Sequence, residues 1–384
     1  MRPYLMKTYA FCVMVVAAFC LCGAAQAAAA DDTAATKELK AAEEKRTDAY
    51  AAQLEAYLRK MLVEDYPARA AKAWHRDYSS VEAFLKSVEP NRERWRKVIK
   101  PPTLEKTGKL ERSRYEPLSD LKAEWWRVPL GELAAEGIFA APPGASAGKR
   151  VPLVIVQHGI GSFPERTFGL NDDGGAYHAF ARELVKAGFA VIVPMNLRSV
   201  ERRNRIERLC RLADLSLPGI ELARMQRLLD EAIQEPGVDA ERVGMWGLSL
   251  GGLATMFWMP LEPRIKVGVC AGWFNHRRNK MVIPDPRYSC FLETKEEHAF
   301  FAGWLLESTD ADVVSLICPR PFQVQTGKGD HIAHWPMVVE EFAAARQPYD
   351  KLGIGDRIEM DLRDGVHETH VESGLRFLTK WLKK

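Results

Sequence analysis

The feature that most constrains this chain is the run Arg242-Val243-Gly244-Met245-Trp246-Gly247-Leu248-Ser249-Leu250-Gly251-Gly252. Residues 243–246 are short and apolar and read as a buried strand, while residues 253–258 read as the opening of a helix. Between them stands Gly-Leu-Ser-Leu-Gly, a G-x-S-x-G sequence set between strand and helix by a tight turn. A serine on such a turn takes strained backbone angles, and glycines two residues to either side let strand and helix approach. The turn lifts the Ser249 hydroxyl above the sheet. It also puts the Leu250 N–H at a helix start, where an unsatisfied donor can face a developing oxyanion.

The surrounding pattern supplies the sheet that this turn requires. Residues 125–128 and 137–140 read as antiparallel lead-in strands. Short, largely apolar strands follow at 153–157, 190–194, 243–246, 265–271 and 321–325, with a last strand at 357–362. Helices are expected at 175–187, at 218–235 with Pro218 in the first turn, and from about 370 to 382. Apolar strands alternating with helices imply an α/β fold, a mostly parallel central sheet covered on both faces. One domain over 118–384 fits, with 273–312 interrupting the pattern as a cap-like insertion.

Ahead of it, residues 31–117 form a helical N-terminal extension, since residues 31–60 hold no Gly or Pro and space Tyr50, Leu54, Tyr57 and Leu58 helically. A cap packed on the main domain and a flexible stalk are both open roles. A second helical stretch is expected after Pro67 and a third from 79 to about 88, with Pro90 and Pro101-Pro102 as breaks. Residues 1–30 read as a signal peptide: Arg2 and Lys7, an apolar run over 9–21, then the small-x-small sequence Ala25-Gln26-Ala27. The run is shorter than the about 20 residues of a membrane span, so an exported protein in the periplasm or outside the cell, without stable membrane insertion, is expected. The formal charge of +3 includes Arg2 and Lys7, which argues for neither nucleic acid nor an anionic membrane as partner. Of seven cysteines, Cys210, Cys270, Cys290 and Cys318 lie beyond the leader. Disulfide pairing and burial as free thiols both remain open, and no spacing suggests zinc or another metal.

A serine on this turn needs a base, an acid to orient the base, and a second oxyanion donor. His367 falls in Gly365-Val366-His367 on the loop after the last strand, from which an imidazole reaches back to the serine. His370, three residues on, is the fallback. Asp330 ends Thr326-Gly327-Lys328-Gly329-Asp330 after the preceding strand, where its carboxylate would accept the imidazole N–H. Asp285 and Asp312 are weaker candidates. Gln157-His158-Gly159-Ile160-Gly161 follows an early strand, so the Ile160 N–H would join that of Leu250, with His158 shaping the loop. Trp273 and the aromatics at 274, 291, 300, 301 and 304 would stack on sugar rings, line an acyl pocket, or pack as the cap's own core. Arg198 opens an arginine-rich run to 211, which would either meet a substrate carboxylate or form a solvated helical face.

His158 to Gly161, Gly247 to Gly252, residues 319–330 and Gly365 to His367, in that order, resemble the α/β-hydrolase superfamily. The likeness is to its dienelactone-hydrolase and acetyl-xylan-esterase-like serine esterases, and covers roughly residues 120–384. It implies ester hydrolysis through an acyl-enzyme with no cofactor, Ser249 as nucleophile, His367 as base then acid, and Asp330 as orienter. Dienelactone hydrolases themselves use a cysteine nucleophile, so serine here points to a carboxylesterase. A small-molecule or carbohydrate-linked ester is the expected substrate. The alternatives are a serine peptidase of the prolyl-oligopeptidase type, for which the N-terminal region is too short and too helical, and a non-catalytic binding protein on the same fold.

Overall fold

The computed structural model describes residues 34–383; the expected signal segment 1–30 lies outside the described residues. The chain divides into two compact units, one through Leu58 and one from Arg59. Of the first, one helix is described, Ala34–Arg59, with no buried residue. Among the described residues, no helix is long and apolar enough to cross a membrane.

The second unit is built on nine strands: β1 Glu111–Arg114, β2 Glu124–Leu130, β3 Leu133–Ala140, β4 Val151–Gln157, β5 Ala190–Pro194, β6 Val238–Leu248, β7 Ile265–Ala271, β8 Phe322–Gly327 and β9 Ile358–Arg363. Their order is β1-β2-β3-β5-β4-β6-β7-β8-β9. The lead-in pairs are antiparallel, as is β3 with β5; every pair from β5 through β4 to β9 is parallel. In β4 and β5 every residue is buried, as expected for parallel strands covered on both faces. One apolar layer joins alternate residues of β4 to β7 to the helices Leu217–Ala232 and Leu250–Trp258; the other lies under Phe180–Lys186 and Val371–Leu382. This is the α/β architecture read from the strand pattern.

Several elements differ from expectation. The helix expected to stop before Pro90 runs from Val81 to Ile99 with Pro90 inside it. An internal proline costs about 3 kcal/mol. Here Phe84, Val88, Asn91, Trp95 and Ile99 are all buried on one face, and that packing carries the helix through. This helix and strand β1 make residues 59–117 part of the same compact unit as the sheet. The helix expected from 175 begins only at Phe180, because residues 171–179 are tied into a turn. There Asp172 accepts the Tyr177 N–H, and Asn171, His178 and Ala179 have positive φ. The helix Trp335–Lys351 was not anticipated. Cys210, Cys270, Cys290 and Cys318 are all buried free thiols.

Candidate active site

The site stands at the C-terminal ends of the parallel strands. Ser249 follows β6 with φ 60° and ψ −118°, the strained conformation foreseen for the turn. Its N–H is held by the Ala271 carbonyl at 2.8 Å. The glycines are required by contact: a Cβ on Gly251 would lie 2.0 Å from the Gln157 carbonyl oxygen, and one on Gly247 2.1 Å from that of Gly251. No side chain fits between β4, β6 and the helix Leu250–Trp258. The Leu250 N–H lies in that helix's first turn, without an intrahelical acceptor.

Asp330 and His367 are brought together by the pairing of β8 with β9, which continues into their loops. The Gly329 N–H reaches the Gly365 carbonyl at 2.8 Å. Asp330, 3% exposed, accepts the His367 Nδ1–H at 2.8 Å and the Ile332 N–H at 3.0 Å, one on each carboxylate oxygen. That contact leaves His367 Nε2 as the free nitrogen. The ring lies against Gly272, where a Cβ would come within 2.8 Å of its Cε1. Ser249, Leu250, Ile160, Asp330 and His367 line one cavity of about 220 Å³. His370 goes elsewhere: its Nδ1 bonds to Asp361 at 2.6 Å. Asp285 pairs with Arg287, and Asp312 with Arg76 and Thr309, so neither serves His367.

His158 shapes the loop that carries Ile160. Its Nδ1–H donates to the Gly159 carbonyl at 2.9 Å, and its Nε2 accepts the Asn196 N–H at 3.2 Å. Complete burial pushes the imidazole below its usual range and keeps it neutral. A second brace was not read from the sequence. The Tyr177 hydroxyl accepts the Gly159 N–H at 2.9 Å, and the Tyr177 carbonyl accepts the Thr369 hydroxyl two residues past His367. One turn thus supports both the loop that carries Ile160 and the loop that carries His367. Its only sequence trace is a Gly-Gly-Ala-Tyr stretch ahead of the helix.

The two candidate substrate contacts part company. Trp273 lines the cavity. Arg198 does not: it is exposed, its guanidinium stacks on Phe163 at 4.0 Å, and its carbonyl holds the Gly161 N–H. The arginine-rich helix Val200–Leu212 is not simply a solvated face either. Arg203, 0% exposed, makes a bidentate pair with Glu221 at 2.6 and 3.0 Å. Arg208 pairs with Glu297, and Arg211 reaches the carbonyls of Glu297 and Phe300. The helix therefore braces the insertion. Of the insertion's aromatics, Phe301 and Trp304 pack on Phe257 behind the elbow, and only Trp273, Phe274 and Phe291 reach the cavity.

Lys280 also faces the cavity. Its ammonium donates to Ser289 Oγ and to the Ile332 carbonyl, each at 2.6 Å, and to the Ser289 carbonyl. Burial lowers this amine to about 8. Arg277, 1% exposed, pairs with Asp310, 0% exposed, at 2.8 Å. Neither pairing follows from sequence spacing.

No protein-family model matches the chain. The Salmonella typhi protein YfhR is 26% identical over 145 residues, 36% of this chain; the match spans about half, 47%, of that relative. YtaP of Bacillus subtilis (strain 168), named as a proposed hydrolase, is 24% identical over 244 residues, 60% of this chain and 79% of that one. Among solved structures, a proposed acetyl xylan esterase from Bacteroides fragilis superposes with a TM-score of 0.63 at 18% identity, covering 82% of this chain and 85% of its own. A glucuronoyl esterase from Teredinibacter turnerae T7901 superposes with a TM-score of 0.57 at 15% identity, covering 79% and 86%. What these structures share with the chain is the arrangement of a mostly parallel sheet between helices, and the chain has the α/β-hydrolase fold.

Proposed function

We propose that the protein is a serine carboxylesterase. The observation that carries this is the single cavity in which Ser249, the Asp330-bound His367 and the backbone at Ile160 and Leu250 meet. In this reading His367 Nε2 takes the hydroxyl proton as Ser249 Oγ attacks the ester carbonyl carbon. The oxyanion is held by the N–H groups of Ile160 and Leu250. Collapse expels the alcohol, which leaves with the proton from His367. Water, deprotonated by His367, then attacks the acyl-serine and releases the acid. Asp330 keeps the proton on Nδ1 throughout and offsets the charge of the imidazolium.

Carbohydrate-linked esters are the substrate class we favour, because the similar structures are named for acetyl xylan and glucuronoyl ester hydrolysis and because aromatic rings line the cavity. We assign catalysis to residues 118–384, with 273–312 as the cap, and export to residues 1–30. N-terminal sequencing of the protein recovered outside the cytoplasm tests the export assignment: an intact Met1 there would overturn it. The catalytic reading is tested by a fluorophosphonate probe together with hydrolysis of p-nitrophenyl acetate. Labelling at Ser249 and turnover lost in Ser249→Ala are expected. A folded protein that neither labels nor turns over would point to a binding role, and cleavage of peptides in preference to esters to a peptidase.

A further inference from the structure

On the wall of the cavity that Ser249 lines, Glu296 and His298 form an arrangement that the catalytic reading does not use. The tautomer of His298 is set by Asn204. The Asn204 Nδ2 donates to the Lys295 carbonyl, so its Oδ1 is the acceptor, and that oxygen receives both the N–H and the Nδ1–H of His298 at 3.1 Å. The proton is therefore on Nδ1, and Nε2 presents a lone pair. Burial and the nearby Arg203 push this histidine down to about 3, so it is neutral. Its Nε2 faces Glu296 Oε2 at 4.0 Å, too far for a direct hydrogen bond. Among the described residues the Glu296 carboxylate has no hydrogen-bond donor, although it is only 31% exposed. Two acceptors thus confront each other on a cavity wall with no donor between them. A half-buried acceptor left so is unfavourable until a donor enters.

The cations nearby do not fill that role. Lys280 spends its three N–H bonds on Ser289 and Ile332, and Arg277 Nε and Nη2 are held by the Asp310 carboxylate and the Trp273 carbonyl. A substrate carboxylate would be repelled by Glu296. A neutral O–H satisfies both acceptors without that conflict. Trp273 and Phe291, with ring centroids 5.9 Å apart, add an apolar face on the same cavity of the kind a sugar ring presents its C–H groups to.

Building on the esterase reading, we propose that Glu296 and His298 form a subsite that accepts a hydroxyl of a neutral polyhydroxylated ester. Esters that carry a free carboxylate fit it poorly.

The test compares Glu296→Leu with the wild type on three esters: an acetylated methyl β-xyloside, p-nitrophenyl acetate, which has no hydroxyl, and mono-p-nitrophenyl succinate, which has a free carboxylate. The ratio of kcat/KM for the xyloside ester to that for p-nitrophenyl acetate is expected to fall about 30-fold in the variant. Wild type is expected to prefer p-nitrophenyl acetate to the succinate. A ratio that does not change, or a preference for the succinate, overturns the subsite. Glu296→Gln, which keeps the shape and removes the charge, serves if the leucine variant does not fold. Binding of unesterified methyl β-xyloside, followed by saturation-transfer NMR, separates the two readings. Glu296-dependent binding without turnover of any ester retains the subsite and rejects the esterase. Ser249-dependent turnover of all three esters with no effect at Glu296 does the reverse.

Discussion

Around Ser249 the backbone makes the site. Strand, turn and helix are consecutive in the chain, and two glycines admit carbonyl oxygens within 2.1 Å of where a Cβ would be. Elsewhere around the cavity, the wall drawn from residues 273–312 is mostly short helical turns held by polar contacts between residues well separated in sequence. Arg277 meets Asp310, Lys280 meets Ile332, and Asn204 meets His298. The first region is specified by local sterics, which tolerate almost no change of residue. The second is specified by buried polar pairs, each of which stabilises only while its partner is present. The comparison teaches that, in the proposed enzyme, chemistry and substrate choice would be separable, because the two regions rest on physically different supports.

Substitutions can sharpen or break that separation. The largest effect is expected at the elbow side. Ser249→Ala or His367→Ala lowers kcat on p-nitrophenyl acetate by about four to six orders of magnitude, and Asp330→Asn by about 10⁴-fold. Thermal unfolding of Ser249→Ala is expected to match wild type, since the helix and sheet contacts survive. Residual activity near wild type in any of the three would break the assignment.

Next comes the support of the opposite wall. Asp310→Ala leaves Arg277 buried and unpaired, and urea denaturation should show a loss of about 3–5 kcal/mol. A loss below 1 kcal/mol would mean that charge pairing does not hold the wall. A smaller effect is expected where the two regions touch. Tyr177→Phe removes the acceptor of the Gly159 N–H, and steady-state kinetics should show kcat falling about tenfold with KM and unfolding temperature nearly unchanged.

The smallest effect is a pH dependence. Glu341, in the helix under the start of Asp310–Ile317, is raised by burial from 4.5 to about 7 while accepting the Ala311 N–H at 2.8 Å. A carboxyl raised on folding adds stability that is full below pH 4.5 and is lost as pH rises through 7. Glu341→Gln is therefore expected to narrow the difference in unfolding temperature between pH 5 and pH 8 by a few degrees. An unchanged difference would remove Glu341 from the pH response.

The parallel strands were legible because each is a short apolar run bounded by turn residues, and β5 and β7 fall on the bounds expected from their residues. The G-x-S-x-G turn placed Ser249 and the ends of later strands placed Asp330 and His367, since loops at one edge of a parallel sheet converge whatever their composition. Pro90 misled, because the face Phe84 to Ile99 is buried by partners far off in sequence. Arg198 misled for a related reason: following a strand puts a residue near the cavity, but its side chain found Phe163.

By itself the sequence determined the elements whose cause is local: apolar runs, a turn only glycine permits, and the order along the sheet edge of the loops that carry the candidate residues. The tertiary structure alone decided which of several histidines and aspartates pair, that Tyr177 supports two loops, and that Glu296 and His298 confront each other unpaired. Those outcomes depend on which groups the fold brings together, some of them as far as 192 residues apart, and hydrogen bonds and buried charges act over only a few ångströms. Residue order carries no direct record of distances that short.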